Sequence, residues 1–146
     1  MTGSSLRLGA AFALVFSAAL VACSSKAASA PDPAALLQAI PPADQTKYAQ
    51  IQDMKTWRNP YLIIRSDGVT LFDAADSAEI LIKPNDVLTT LSRLPASYWP
   101  YGRVVAATET TRRASEQDGV AIRRNKGIVG GMLEGAHIAV KWVPAT

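Results

Sequence analysis

Apolar and polar positions divide this chain into three regimes. Leu8 to Ala22 is a run of fifteen residues without a charge. Ser24 to about Thr46 is dominated by Ala, Ser and Pro, with few large apolar side chains. From Lys47 onward the apolar residues become periodic. Tyr48, Ile51, Met54 and Trp57 recur every three positions, which predicts a short amphipathic helix ending before Asn59-Pro60. Tyr61 to Ile64 reads as a strand, Asp67-Gly68 as a hairpin turn, and Val69 to Phe72 as the returning strand. Ala78 to Lys83 predicts a third strand with Ile80 and Ile82 on one face.

A helix follows, carrying Val87, Leu88, Leu91 and Leu94 on one side, with Asn85 or Asp86 as its cap and Pro95 as its stop. Tyr98 to Gly102 is an aromatic connection, and Arg103 to Thr110 is rich in Val and Thr, as strands are. Ser115 with Asp118 resembles a capping box ahead of Ile122, Ile128, Val129, Met132, Leu133 and Ala136 at nearly helical spacing. Gly127, Gly130, Gly131 and Gly135 oppose that helix, each by about 1 kcal/mol relative to Ala. Ile138, Val140 and Trp142 alternate in a closing strand. The order is ββ(β)αβαβ, an α+β domain over residues 47–146, with helices packed on one face of a mixed or antiparallel sheet.

The first regime has its own reading. Fifteen residues fall short of the roughly 20 that span a bilayer, and a single positive side chain, Arg7, precedes them. This fits the apolar region of a secretory signal peptide. The run ends Leu20-Val21-Ala22-Cys23, followed by Ser24-Ser25. That ending resembles the lipobox of bacterial lipoproteins: an aliphatic residue, two mostly small residues and an obligatory Cys. The resemblance implies cleavage before Cys23, a diacylglycerol on its thiol and acylation of the new amine, by palmitate or a similar chain. In Gram-negative lipoproteins Asp after the Cys favours inner-membrane retention; Ser24 stands there, which in such a cell implies an outer-membrane protein facing the periplasm. Several acyl chains anchor stably where one holds only marginally. The chain is thus expected to comprise a cleaved signal (1–22), a lipidated Cys with an Ala/Ser/Pro-rich tether (23–46), and one domain (47–146). A tether of roughly 23 residues would reach at most about 75 Å, at ~3.3 Å per residue.

Composition narrows the chemistry. The 146 residues suit one domain, and one Cys excludes an intrachain disulfide framework or a Cys-rich zinc site. Fifteen Lys and Arg against twelve Asp and Glu give a net charge of +3, too small an excess to argue for nucleic acid. His137 is the single histidine and is predicted on the less buried face of the last strand, opposite Ile138, Val140 and Trp142. The sequence carries no nucleotide, metalloprotease or serine-hydrolase pattern and calls for no cofactor. Asp73, Asp76 and Glu79 read as an ordinary solvated connection.

Two surface candidates stand out. Arg112, Arg113, Arg123, Arg124 and Lys126 form a basic cluster suited to lipid headgroups, phosphates or cell-wall carboxylates. Trp99 and Tyr101 are candidates for an aromatic contact surface. The expected role is binding or structural, with the membrane through acylated Cys23 and with an envelope protein or cell-wall polymer. The alternatives are an envelope hydrolase using carboxylates such as Glu109 or Glu116, and an accessory subunit of an envelope transport or assembly complex. The hairpin, the helix and Tyr101-Gly102-Arg103-Val104-Val105 give a loose architectural likeness to the periplasmic domains of ExbD/TolR biopolymer-transport proteins. Those proteins carry an uncleaved membrane helix, which this chain lacks, so no activity is transferred.

Overall fold

The computed structural model describes residues 28–73, 76–111 and 114–145. The expected signal segment (1–22), Cys23, Arg112 and Arg113 lie outside the described residues. Among the described residues five strands form one mixed sheet: β1 (Tyr61–Ile64), β2 (Val69–Asp73), β3 (Ala78–Ile82), β4 (Val104–Glu109) and β5 (Ala139–Trp142), in the spatial order β3-β2-β1-β4-β5. Strands β1, β2 and β3 pair antiparallel, whereas β4 runs parallel to β1 and β5 parallel to β4. The α+β class read from the hydrophobic pattern is the class of the structure.

Side-chain alternation gives this sheet two faces. Leu62, Leu71, Val105 and Ala107 belong to a core completed by α1 (Pro33–Leu37), α3 (Val87–Ser92) and α4 (Glu116–Gly135), through Leu37, Val87, Leu91, Val129 and Leu133. Val104 and Ala106 belong to a second core with Tyr48 and Trp57, supplied by α2 (Gln45–Tyr48) and the chain that follows it. The expected one-sided packing therefore holds for α1, α3 and α4, while the segment 42–57 lies over the opposite face.

The predicted tether needs correcting in its second half. Leu37 is 1% exposed and sits in the main core, and the Gln38 side-chain amide donates to the Ala136 carbonyl at 2.8 Å. Gln38 also accepts from the Arg103 guanidinium. Arg103 N–H donates to the Pro41 carbonyl at 2.8 Å, and Asp44 N–H to the Tyr101 carbonyl at 2.9 Å. The folded unit thus starts near Asp32 rather than at Lys47. A five-residue helix has no stability of its own, so α1 exists because burial of Leu37 holds it. The Pro41-Pro42 step carries the chain past the start of β4 to the other face.

The helix predicted over Tyr48 to Trp57 is also broken. The chain makes one turn as α2, leaves it, and returns as a 3₁₀ turn at Met54–Thr56. Asp44 and Asp53 each accept from the backbone two residues on, at 3.1 and 2.9 Å, so the chain restarts twice instead of continuing. The four apolar residues still converge on the second core, which explains their spacing without a helix.

At α3 the expected side-chain cap does not form. Pro84 instead opens a 3₁₀ turn, Pro84–Asp86, that leads directly into the helix. At α4 the capping box is present: Ser115 accepts from Asp118 N–H at 3.0 Å and its hydroxyl donates to the Asp118 carboxylate at 2.7 Å. These bonds, with Ser66 adding another, hold the Asp118 carboxyl below its usual range. The far end of α4 corrects the placement of His137. Its N–H donates to Glu134, Ile138 N–H donates to Leu133, and His137 adopts φ 55°. This is the Schellman pattern, with His where glycine is usual. His137 therefore belongs to the helix stop, not to strand β5.

Candidate functional site

Antiparallel pairing of Tyr61 with Phe72 brings the start of β1 and the end of β2 to one end of the sheet. The connection from α3 to β4 crosses the same end, since Pro95 stops the helix and a 3₁₀ turn, Ala96–Tyr98, follows. Between them lies a groove of about 590 Å³. Leu71 and Phe72 of β2, Ile80 of β3, Leu94, and Pro60 and Pro100 give it apolar walls. Its polar groups are Asp73, Tyr98, Arg58, Asn59 and Ser97.

Tyr98 and Asp73 form the defined polar pair of the groove. The phenol donates to Asp73 Oδ2 at 2.9 Å. That bond, followed by desolvation and the charge of the carboxylate, holds the Tyr98 phenol above its ordinary range. The pair thus presents a neutral hydroxyl and a carboxylate side by side at neutral pH. Arg58 is exposed, donates to the Lys55 carbonyl at 3.2 Å, and adds a cation to the groove. An apolar trough with a few polar groups is the usual form of a binding site for a small molecule or an extended segment.

The sequence-predicted site residues fall elsewhere. Trp99 is 4% exposed and belongs to the main core. Tyr101 is half-buried, 5.1 Å from the Trp57 ring and 6.3 Å from the Tyr48 ring, centroid to centroid. Both aromatics therefore lock a loop onto the core, the role that aromatics beside Pro more often take, and do not form the contact surface for which they were candidates. In the basic cluster, Arg123 and Arg124 are exposed on α4 and make no ion pair among the described residues. Lys126 is held within the domain, 3.3 Å from the Glu109 carboxylate and 4.6 Å from the Trp142 ring centroid. It does not share a free basic face with the two arginines.

Glu109 lies at the end of β4 and Glu116 in the first turn of α4, and neither lines the groove. Among the described residues no cluster of three or more metal-ligating side chains occurs. Asp73 and Glu79, read from sequence as connection residues, are strand residues, and Asp73 lines the groove. Tyr98 and Arg58 were missed as well. Asp73 had one legible signal, since it continues the alternation set by Val69 and Leu71. Tyr98 had none, because its partner is 25 residues away.

Comparison with protein families, curated proteins and solved structures finds no match to this chain.

Proposed function

We propose that this chain is a lipid-anchored protein of a bacterial cell envelope, held through acylated Cys23, whose folded unit is a binding module. The anchor rests on Leu20-Val21-Ala22-Cys23 at the end of an uncharged apolar run. The binding role is carried by one observation, the 590 Å³ groove with apolar walls and the Tyr98–Asp73 pair. Its chemistry suits an extended segment of an envelope protein, with an apolar side chain against Leu71, Ile80 and Leu94. A polar sugar polymer would leave those walls unmatched. In this reading the protein contributes position and recognition, and any chemistry belongs to what it binds.

Two measurements test the two halves. In cells fed a fatty-acid analogue, the wild-type chain takes up label and Cys23→Ala does not; equal labelling of both overturns the anchor. For the groove, the purified full chain is titrated with anilinonaphthalene sulfonate, an apolar fluorescent probe. Leu94→Glu, which puts an anion on the groove wall facing the anionic probe, should weaken binding at least tenfold, about 1.4 kcal/mol. Arg124→Ala, on an exposed part of α4, should leave it unchanged. If Leu94→Glu binds the probe as wild type does, the groove is not the site.

A further inference from the structure

The two edges of the sheet differ. At one edge, β5 is followed by Val143, which continues pairing to Ala107, and then by Pro144, which has no N–H to offer. Lys141 in the same strand is turned inward, its ammonium donating to the Tyr48 and Ile51 carbonyls at 3.1 and 2.5 Å. At the other edge, β3 is the end strand among the described residues, and Ile80 and Leu81 are 50% and 56% exposed. An exposed apolar edge of this kind is a template for pairing with another strand.

The sequence of this edge says which strand fits. Glu79, Leu81 and Lys83 alternate on one face, because Lys83 continues the extended backbone with φ −71° and ψ 146°. Ile80 and Ile82 occupy the other face, where Ile80 pairs with Leu71 and Ile82 with Val69. Two copies of β3 can pair antiparallel only about a two-fold axis perpendicular to the sheet, so each face meets its own kind. Registers that keep the faces aligned differ by whole pairs of residues. Centred on Ile80, the pairing sets Glu79 against the partner's Leu81. One step toward the amino terminus, centred on Glu79, it sets two carboxylates together. Centred on Leu81, it sets Glu79 opposite the partner's Lys83 twice by symmetry, Leu81 opposite itself, and Ile80 opposite the partner's Ile82. Every cross-strand pair in that last register is apolar with apolar or acid with base, the combinations that stabilise a ladder.

We infer that β3 is a self-complementary edge through which two copies of this chain pair antiparallel, centred on Leu81, into one continuous sheet. Pairing covers the exposed Ile80 and Leu81 and ends at Pro84, which cannot donate to the ladder. Glu79 already lies 3.0 Å from Arg65 of its own chain, so in the pair it sits between two cations.

The test uses the purified full chain with Cys23→Ser, which removes the single native thiol and the acylation site. Leu81→Cys places two thiols across the axis, at the close Cα separation of paired residues that a disulfide bridges. Mild oxidation should give a disulfide-linked dimer well above that from Gln117→Cys, an exposed position on α4. In the Leu81→Cys chain, Glu79→Lys or Lys83→Glu alone should lower the crosslinked fraction about tenfold at equal concentration. The double exchange, Glu79→Lys with Lys83→Glu, should restore it, an outcome that a folding defect cannot produce. Sedimentation of the unoxidised wild-type chain should show monomer and dimer in exchange. A chain that remains monomeric across the concentration series, or a double exchange without recovery, overturns the pairing. An edge that serves an extended segment of another protein gives the monomeric result.

Discussion

Asn59 shows how much a single buried polar residue carries here. It is 3% exposed, and its amide donates to the Gly102 and Val104 carbonyls at 2.8 and 2.7 Å while its oxygen accepts from Tyr101 N–H at 3.0 Å. One side chain thus satisfies three backbone groups of the loop that leads into β4. Asn59→Ala strips all three bonds; the Gly102 carbonyl keeps the Val104 N–H at 2.8 Å, so two groups lose their partner, at about 1–3 kcal/mol each. The expected loss is about 2 kcal/mol or more, read as a lower urea midpoint with the slope unchanged. Gly102 beside it is equally constrained. It adopts φ +78°, and a Cβ there would lie 2.2 Å from the Pro42 carbonyl oxygen. Neither role was legible in the sequence. Asn59-Pro60 and Tyr101-Gly102 both look like punctuation between strands, and the bonds that define them span 42 to 45 positions.

At the scale of elements, legibility follows the size of the buried stripe. Helix α4 runs unbroken for 20 residues although glycines interrupt it, because Ile122, Asn125, Val129 and Leu133 bury one face. Asn125 adds a tie that periodicity cannot reveal, donating to the Arg65 carbonyl of the β1–β2 turn at 2.8 Å. The glycines themselves have no packing reason: a Cβ at Gly127 or Gly131 would meet nothing within 4 Å. Gly127→Ala with Gly131→Ala should therefore stabilise the protein by about 1–2 kcal/mol together, through helix propensity and a less free unfolded chain. Thermal unfolding followed by circular dichroism checks this, and a lower midpoint would refute it. The segment 48–57 had a three-residue period but no long stripe. Asp44 just before it and Asp53 within it each restart the chain through a local hydrogen bond, and a helix with little else to hold it does not form across them. Strand β3 was legible as a strand but not as an edge, since strand order is a property of the assembled sheet.

The whole molecule depends on a segment that its composition presents as a linker. Ala, Ser and Pro between residues 24 and 46 gave no sign that Leu37 completes the main core, because one leucine in a low-complexity stretch carries no period. A chain shortened to begin at Lys47 loses that side chain, and core deletions of this size cost about 2–5 kcal/mol out of a typical total of 5–15. It should melt well below the chain that begins at Asp32, or fail to fold, and equal melting would show the segment to be dispensable. The same segment starts on one face of the sheet at α1, passes the start of β4 at Arg103, and ends on the other face at Trp57. A pull from the amino-terminal side therefore meets this strap before it meets the sheet. It loads Leu37 first, then the bond from Arg103 to Pro41, one fastening at a time as a zipper opens. The five strands are not sheared together. Under tension the strap is the part that yields, and its release uncovers the main core at Leu37 first and the second core at Tyr48 and Trp57 after it.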